Sequence, residues 1–319
     1  MKILVDAMGG DNAPGEIIKG VLQSGTKAKI ILVGRESEIK KHLTLEKNID
    51  IINATEVIGM TEGALAVRAK KDSSMAIALD MLKAGEADAL ISAGSTAALV
   101  AGATLKLKRL PNVKRPALAV PMPTEKGIVL LMDAGANVDC KPEYLLQFAQ
   151  IASVFMKELG LSANPKIGLL SNGSEEDKGN SLTKEAFALL KESNLNFYGN
   201  IEAKEVAIGT VDVVIADGMM GNVLLKTAEG YLKLMGSVLK KELKSNPITT
   251  LGALLSKPAL NKTKSFFDPS KVGAGQFLGA DRLVLKAHGS SKSIDIIGAI
   301  KAAEKFIELD VIEKLKNSL

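Results

Sequence analysis

The chain has 319 residues, of which 46% are hydrophobic and 3% aromatic, with no tryptophan, a single cysteine and a formal net charge of +5. This composition permits a large aliphatic core but excludes an intramolecular disulfide framework, and scarce aromatics without a recognisable DNA- or RNA-binding motif argue against a nucleic-acid-binding protein. The sequence shows no signal-peptide pattern and no apolar run of membrane-spanning length, so we expect a cytoplasmic protein whose basic surface suits anionic substrates or anionic lipid.

The first predicted strand, Lys2–Asp6, leads into a glycine pair and then into an amphipathic helix predicted over residues 16–24. Gly9 and Gly10 permit close backbone approaches that a Cβ would block. A buried strand that delivers glycine and aspartate to a helix start commonly places backbone amides beside a ligand. Asp6, Gly9 and Gly10 are therefore candidate substrate- or phosphate-binding residues, although a Gly-Gly pair also serves as a plain turn.

Strand-like and helix-like segments then alternate along the chain. Further strands are predicted over residues 29–33, 50–53, 87–92, 117–121, 128–132, 166–170, 196–198 and 211–216. Helical patterns lie between them over residues 73–84, 96–106, 142–158 and 181–192. This alternation predicts an α/β fold with a parallel sheet.

The pattern changes after Gly221. A long helical run over residues 222–244 stops near Pro247, and a second covers residues 248–267. Two helices with a short break predict an αα-hairpin that projects from the sheet. The chain returns through residues 273–279 to a strand over 282–287 and a last helix over 293–308. We therefore expect one domain over residues 1–319 with a helical arm, residues 222–268, inserted in it.

Small, polar and acidic residues follow several of these strands. Four such segments occupy residues 92–96, 133–141, 217–222 and 288–292. Each can be a simple cap or turn, but the carboxyl ends of parallel strands share one edge of a sheet, where ligands bind. With the N-terminal motif they predict a cleft of amides, hydroxyls and a few charges. Its candidate residues are Ser92, Gly94, Ser95, Asn137, Asp217, Asn222, His288 and Ser290.

Several kinds of site have no support in the sequence. A spaced His/Cys cluster, a complete dinucleotide fingerprint and a Gly-Lys-Ser/Thr loop are all missing, so we expect no metal and no cofactor. A magnesium site built from acids alone stays open, but nothing in the sequence demands one. Cys140 has no local nucleophile–base signature, and a small packed side chain is the favoured interpretation.

Long strings of this sequence closely resemble the PlsX family of bacterial phosphate acyltransferases of phospholipid synthesis. The resemblance runs end to end and includes DAMGGDNAP at residues 6–14, DAGANVDCKPEYLLQFA at 133–149, EEDKGNSLTKEA at 175–186, LGALLSKPAL at 251–260 and KAHGSS at 286–291. Ser95, Ala97 and the pair Met219-Met220 depart from the family pattern.

The resemblance implies a fold, an activity and partners. The fold would be a three-layer α/β/α Rossmann-like body similar to phosphotransacetylases and isopropylmalate dehydrogenases, assembled as a homodimer. The activity would be transfer of a long fatty acyl group from acyl-carrier protein to inorganic phosphate, giving acyl phosphate for a membrane glycerol-3-phosphate acyltransferase.

Phosphate is already a nucleophile, so this chemistry requires positioning, oxyanion stabilisation and thiolate departure rather than a covalent intermediate. The candidate catalytic residues are Lys184, Asn222 and His288. Lys184 lies on one predicted helix face with Asn180. Asn180 and the other strand-end residues named above are candidates for binding substrate or phosphate.

Two alternatives remain open: a phosphotransacylase that uses short acyl-CoA, and a noncatalytic scaffold of a lipid-synthesis complex.

The helical arm also has two interpretations. Its tip residues Leu251, Leu254, Leu255 and Leu260 either pack against a partner subunit or dip into a membrane surface beside lysines, giving peripheral attachment.

Overall fold

The computed structural model describes residues 1–43, 48–267 and 274–319. Within them, one sheet has the strand order β3-β2-β1-β4-β11-β10-β5-β6-β9-β7-β8. The strands are β1 Lys2–Asp6, β2 Lys29–Gly34, β3 Ile49–Asn53, β4 Ala89–Ser92, β5 Ala117–Thr124, β6 Gly127–Met132, β7 Ile167–Leu170, β8 Phe197–Ile201, β9 Val213–Ile215, β10 Gly275–Leu278 and β11 Leu283–Lys286.

Helices connect most of these strands. They are α1 Gly15–Gln23, α2 Glu36–Ile39, α3 Ala66–Ala69, α4 Ser74–Ala84, α5 Thr96–Lys106, α6 Pro142–Glu158, α7 Ser181–Lys191, α8 Ala203–Ile208, α9 Gly218–Leu243, α10 Pro247–Leu255, α11 Lys257–Phe266, α12 Ser293–Glu308 and α13 Val311–Ser318.

The core lies on both faces of the sheet because successive strand residues point to opposite sides. In β1, Ile3 and Val5 join the large cluster that α1, α6 and α12 cover, whereas Leu4 joins a second cluster under α4 and α5. In β6, Leu131 joins a third cluster with α8. Helices therefore cover both faces, and the predicted three-layer α/β/α class is confirmed.

The strand directions divide the sheet into two sets. β1 to β4 and β11 run parallel to one another, as do β6, β9, β7 and β8. Between the sets, β10 is antiparallel to both β11 and β5, and β5 forms an antiparallel hairpin with β6. The strands of the second set consequently run in the direction opposite to those of the first set.

This reversal corrects one expectation. The carboxyl ends of all the strands do not share a single edge of an open parallel sheet, because β10 and the β5–β6 hairpin change the strand direction. Residues 273–279 are predicted as a return segment without a strand of their own; residue 273 lies outside the described residues, and residues 275–278 form β10. The strand-end segments accordingly form two clusters.

The helices of the arm follow the two predicted helical runs. α9 begins at Gly218, four residues before the predicted start, since Asp217 caps it. Asn246 caps α10, and the second run breaks at Ser256 between α10 and α11. The last residue of the predicted arm, 268, lies outside the described residues. Within those residues, no helix is both long and apolar enough to cross a membrane.

Candidate active site

Asp6 is the buried centre of the first cluster, which lies at the carboxyl ends of β1, β4 and β11. Its Oδ1 accepts a hydrogen bond from Ser74 Oγ at 2.6 Å, and its Oδ2 accepts one from Ser92 Oγ at 2.7 Å. Burial raises the pKa of the Asp6 carboxyl above its ordinary value, while the bonds from Ser74 and Ser92 lower it. The carboxylate therefore holds three chain segments together and is only 2% exposed.

Glycines let the backbones of this cluster pack directly on one another. A Cβ on Gly9 would lie 2.5 Å from Asp6 Oδ2 and 2.7 Å from the amide nitrogen of Gly94. Gly10 has a φ of +106° and packs against the carbonyl oxygen of Gly289. The structure thus brings Gly9, Gly10 and Gly94 together, and larger side chains would separate these loops.

Ser95 and Ser92 use their hydroxyls within the cluster. Ser95 Oγ donates to the carbonyl oxygen of Glu62 at 2.8 Å and caps α5 by accepting from the Ala98 amide at 3.4 Å. Ser92 Oγ accepts from the Gly94 amide at 3.1 Å in addition to its bond to Asp6. Both hydroxyls therefore position loops around the cluster.

His288 connects the first cluster to α9. Its Nδ1 accepts from the Ser290 amide at 3.2 Å and lies 2.8 Å from Ser290 Oγ. Since Nδ1 is the acceptor, Nε2 is the nitrogen that donates to Glu229 Oε2, 3.2 Å away. Glu229 also pairs with Lys226 at 2.9 Å. Burial would raise the pKa of the Glu229 carboxyl, but the bonds from His288 and Lys226 prevail and lower it to about 2.

Lys286 lies at the end of β11, two residues before His288. Its ammonium group donates to the carbonyl oxygen of Ala287. Burial and the charge of Lys226 lower the pKa of Lys286 to about 8, against the opposing influence of Asp6, Glu229 and Asp11. Two lysines are therefore held close enough to repel each other beside His288.

Asp133 is the centre of the second cluster, at the carboxyl ends of β6, β9 and β7. Its side chain is fully buried. Oδ1 accepts from the amides of Leu118, Gly135 and Ala136, and Oδ2 accepts from the amide and side chain of Asn137. Burial raises the pKa of the Asp133 carboxyl, and these bonds oppose the rise.

Asn137 and Asp217 also have structural partners. Asn137 Nδ2 donates to the carbonyl oxygen of Pro116 at 2.9 Å, and its own carbonyl oxygen accepts from Gly218 at 2.8 Å. Asp217 Oδ1 caps α9 by accepting from the Met220 amide at 2.9 Å. The Asp217 side chain is therefore a helix cap, and the Asn137 side chain ties its loop to Pro116 and Asp133.

Cys140 lies beside the same loop, where its thiol donates to the carbonyl oxygen of Asn137 at 3.4 Å. Burial raises the pKa of the Cys140 thiol to about 12, and the carboxylates of Asp133, Asp217 and Asp139 add to the rise. The reactive form of cysteine is the thiolate. This environment therefore suppresses nucleophilic chemistry at Cys140.

Asn222 is exposed on the first turns of α9. A Cβ on Gly135 would lie 3.5 Å from Asn222 Oδ1, so the side chain lies over the Asp133 loop. Within the described residues its amide makes no hydrogen bond. Asn222 is thus available to a ligand, unlike its neighbours Asp217 and Asn137.

Asn180 and Lys184 lie at the start of α7, after β7. Asn180 Oδ1 caps the helix by accepting from the Thr183 amide at 2.9 Å. Lys184 is exposed one turn later, and in the part of the chain described it forms no ion pair. A Cβ on Gly179 would lie 3.1 Å from Ser171 Oγ, so this helix start lies near the carboxyl end of β7, the strand beside β9, although no hydrogen bond joins Asn180 or Lys184 to the Asp133 loop within the described residues.

One helix joins the two clusters. α9 starts at Asp217 in the second cluster, and eleven residues after Gly218 its Glu229 contacts His288 in the first. With a rise of about 1.5 Å per residue, Asn222 and Glu229 are roughly 10 Å apart along the helix. In addition, Ala136 packs against two hydrophobic core clusters, the one under α4 and α5 and the one that includes α8. The site therefore lies between the halves.

Several residues near these clusters were not among the predicted site residues. Glu229 carries no local signal, because a charged residue on a helix is usually solvated. Ser74 and Lys226 lie in the strings KKDSSM at residues 70–75 and NVLLKT at 222–227, which also resemble the family. Lys286 opens the KAHGSS string, and that string is the signal that could have identified it. Within the described residues, no group of three or more His, Cys, Asp or Glu is arranged to hold a metal ion.

Comparison with known proteins places the chain in a family. The model of the family described as "Fatty acid synthesis protein" matches residues 1–314. The chain belongs to this family. A phosphate acyltransferase from Thermoanaerobacterium thermosaccharolyticum is 46% identical, with 100% of this chain and 97% of that protein covered. One from Fusobacterium nucleatum is 47% identical, with 100% and 99% covered. The resemblance to the PlsX family is thereby confirmed.

Solved structures share the fold of this family member. A phosphotransacetylase from Streptococcus pyogenes has a TM-score of 0.61 and 19% identity, covering 96% of this chain and 94% of that one. A 4-hydroxythreonine-4-phosphate dehydrogenase from Klebsiella pneumoniae has a TM-score of 0.53 and 14% identity, covering 95% and 98%. At these identities the likeness concerns the fold.

Proposed function

We propose that this protein is an enzyme that transfers a long-chain fatty acyl group from acyl-carrier protein to inorganic phosphate, forming acyl phosphate for phospholipid synthesis. The observation that carries this proposal is the match to proteins named phosphate acyltransferase over the whole of this chain and nearly the whole of each relative. The two clusters supply the groups that the reaction needs.

The reaction joins a multiply charged anion to a thioester. A phosphate oxygen attacks the carbonyl carbon, negative charge develops on the carbonyl oxygen, and the C–S bond then breaks as the carrier leaves as a thiolate that takes up a proton. No cofactor enters this balance. The protein must bind the anion, stabilise the oxyanion and assist the departing sulfur.

In our proposal, the first cluster binds phosphate. Lys226 and Lys286 supply positive charge, and the loop of Gly9 and Gly10 packs against Gly289, three residues after Lys286. Burial and, after it, the charge of Lys226 lower the pKa of Lys286, and a bound anion would offset both effects. His288, oriented by Ser290 and Glu229, donates from Nε2 once substrate displaces the carboxylate.

The second cluster, in the same proposal, holds the thioester. Asn222 and Lys184 are exposed at its surface and donate to the carbonyl oxygen as it becomes negative. The loops that present Asn222 and Lys184 are shaped by four residues whose side chains bond backbone groups: Asp133, Asn137, Asp217 and Asn180. Asp6, Ser92, Gly94 and Ser95 have that positioning role in the first cluster.

The decisive experiment measures phosphate-dependent acyl phosphate formation by the purified protein. The donors are long-chain acyl-carrier protein and short acyl-CoA, and a reaction without phosphate is the blank. We expect rapid product from the first donor alone. Preference for short acyl-CoA would favour the phosphotransacylase alternative, and no product from either donor would favour the scaffold.

The arm supports a homodimer in this proposal. On α9, Tyr231, Leu234, Met235 and Val238 are all exposed and follow the i, i+3, i+4, i+7 spacing of one helix face. An exposed apolar stripe of this length marks an interaction surface, and a second copy of the arm offers the complementary one. Light scattering of the wild type and a Leu234→Lys/Met235→Lys variant tests this assembly.

We also propose that the arm tip contacts the membrane and delivers product to a membrane glycerol-3-phosphate acyltransferase. Leu251, Leu254 and Leu255 are 60%, 62% and 77% exposed on α10, whereas Leu260 on α11 is half-buried. Apolar side chains beside lysines give reversible interfacial binding that anionic lipid strengthens.

Replacing Leu254 and Leu255 with glutamate should abolish sedimentation with anionic liposomes while the dimer and activity in solution persist. The matched control is Leu105→Glu/Leu161→Glu, which changes two exposed leucines of the sheet body. Normal liposome binding by the tip variant, or its dissociation into monomers, would show that these leucines pack against protein instead.

A further inference from the structure

A groove of about 620 Å³ lies on the loop between α5 and β5, outside both clusters. Its lining residues come from one continuous stretch of chain between Thr104 and Lys114. Residues 104–116 contain five basic side chains and no acidic one. The net charge of the whole chain is only +5, so this segment concentrates positive charge far above the average of the surface.

Most of this charge faces solvent. Lys106 is neutralised by Asp80 at 2.7 Å, but Lys108, Arg109, Lys114 and Arg115 are exposed and form no ion pair within the described residues. Arg109 Nη1 donates to the carbonyl oxygen of Lys114 at 2.6 Å, so a hydrogen bond holds its guanidinium beside Lys114. The nearby carboxylate of Asp281 accepts from the Lys108 backbone amide. Side-chain cations therefore remain free for an anionic partner.

The groove is held in shape by the body of the protein. Gln147 Oε1 accepts from the Lys114 amide at 2.6 Å, and Gln147 Nε2 donates to the carbonyl oxygen of Asn112 at 2.7 Å. Leu110 donates its amide to the carbonyl oxygen of Gly279, and Leu110 and Val113 are buried. A surface that is already ordered loses little conformational entropy when a partner binds.

The groove also adjoins the second cluster. Pro116, which directly follows its last cation, accepts from Asn137 Nδ2 at 2.9 Å, and Leu118 donates to Asp133 Oδ1 at 3.0 Å. Arg115 lies over the ring of Tyr144, on the helix that follows the Asp133 loop. A partner seated on the groove therefore stands beside Asn137 and Asp133, whose loop lies under Asn222.

We propose that this groove is the docking surface for an acidic carrier protein that presents the acyl thioester to the second cluster. The inference rests on the proposed function and names where its macromolecular substrate binds. Exposed, separated cations suit the dispersed carboxylates of a protein face, whereas one small anion needs convergent donors. The apolar residues Leu107, Leu110 and Val113 are buried beneath the charges, so they offer nothing to insert into lipid.

The test compares two donors that carry the same long acyl chain: acyl-carrier protein and the uncharged acyl-pantetheine. Lys108→Glu/Arg109→Glu reverses two charges on the groove. The matched control, Lys301→Glu/Lys305→Glu, makes the same change on α12, where both lysines are exposed and make no ion pair among the described residues. Lys108→Gln/Arg109→Gln is the milder variant if charge reversal impairs folding.

We expect the groove variant to raise KM for acyl-carrier protein at least about tenfold, to leave KM for acyl-pantetheine unchanged and to flatten the salt dependence seen with the wild type. The control variant should behave like the wild type with both donors.

Equal KM values of the groove and control variants for acyl-carrier protein would overturn the proposal, as would equal losses with both donors. Binding of the groove to anionic vesicles or nucleic acid without an effect on acyl-carrier protein would also overturn it. Failure of the proposed function looks different, because the wild type would then make no acyl phosphate from either donor.

Discussion

The two clusters of the site contain similar residue types but use them differently. In the second cluster, the buried carboxylate of Asp133 is surrounded by backbone amides, and Asp217 and Asn180 cap helices. In the first cluster, Lys286, His288, Lys226 and Glu229 bring charged and titratable groups together. Polar residues at a strand end thus either shape a loop or supply charge, and their hydrogen-bond partners distinguish the two roles.

The largest expected effect separates these roles at Asp133. Asp133→Ala leaves several buried amides without an acceptor, so it should lower the free energy of unfolding by about 3 kcal/mol or more. Asp217→Ala removes a helix cap and should cost only about 1 kcal/mol. Chemical denaturation measures both. Equal losses would mean that Asp133 is not the structural centre of its cluster.

Asn222 and Lys184 are the exceptions within the second cluster, because their side chains face solvent. Asn222→Ala and Lys184→Ala should each reduce turnover about 100–1000-fold, the cost of losing one donor to a developing oxyanion, with little change in unfolding free energy. Lys191→Ala, which changes another exposed lysine of α7, is the control. Near-wild-type kinetics at subsaturating phosphate would remove both residues from the site.

Lys286 gives a pH test of the first cluster. Its pKa of about 8 means that the ammonium charge is lost as pH rises through this value, so KM for phosphate should increase roughly tenfold or more above pH 8. Lys286→Met should show the higher KM already at pH 7, and Lys286→Arg, which stays protonated, should lose the pH dependence. A wild-type and a Met variant with the same pH profile would exclude Lys286 from phosphate binding.

The same residue should affect stability with a defined sign. The unfolded chain keeps the Lys286 proton up to about 10.5, while the folded protein releases it near 8. Between these values the unfolded state binds more protons, so stability rises with pH. The destabilising contribution of Lys286 is therefore complete below pH 8, and the stability advantage of Lys286→Met should shrink as pH rises toward 10.5.

The smallest expected effect concerns Cys140. With a thiol pKa near 12, it stays protonated during turnover, so Cys140→Ser should change the rate less than about threefold. Mass spectrometry of the enzyme quenched during turnover should find no acyl group on this residue. A stable adduct on Cys140 would contradict direct attack by phosphate.

Much of the fold could be predicted from the sequence, since alternating apolar runs and helical periodicity identified most strands and helices. The missing strand was β10, four residues that begin with Gly275 and lack a clear strand pattern. β10 is antiparallel to both β11 and β5, so these two strands share one direction, and the β5–β6 hairpin then reverses the second set and separates the strand-end segments into two clusters. Local patterns carry no information on this pairing, which is decided by tertiary contacts.

Three of the candidate residues have a visible role as helix caps. Ser95 and Asp217 closely follow β4 and β9, Asn180 directly precedes α7, and the side chains of all three cap helices. Spacing alone does not separate a cap from a ligand contact, because both need the same polar atoms at a helix start. Glu229 was beyond reach, since its partner His288 is 59 residues away in sequence.

α9 carries Asn222, then Glu229, then the exposed stripe that begins at Tyr231, all on one continuous helix of 26 residues. A helix of this kind behaves as a stiff rod, so whatever clamps its outer half also sets the angle at which Glu229 meets His288 and the height of Asn222 above the Asp133 loop. If the stripe is the interface of the proposed dimer, assembly would be coupled to the proposed site through this one helix, and a separated subunit would keep Asn222, Glu229 and His288 but lose their alignment.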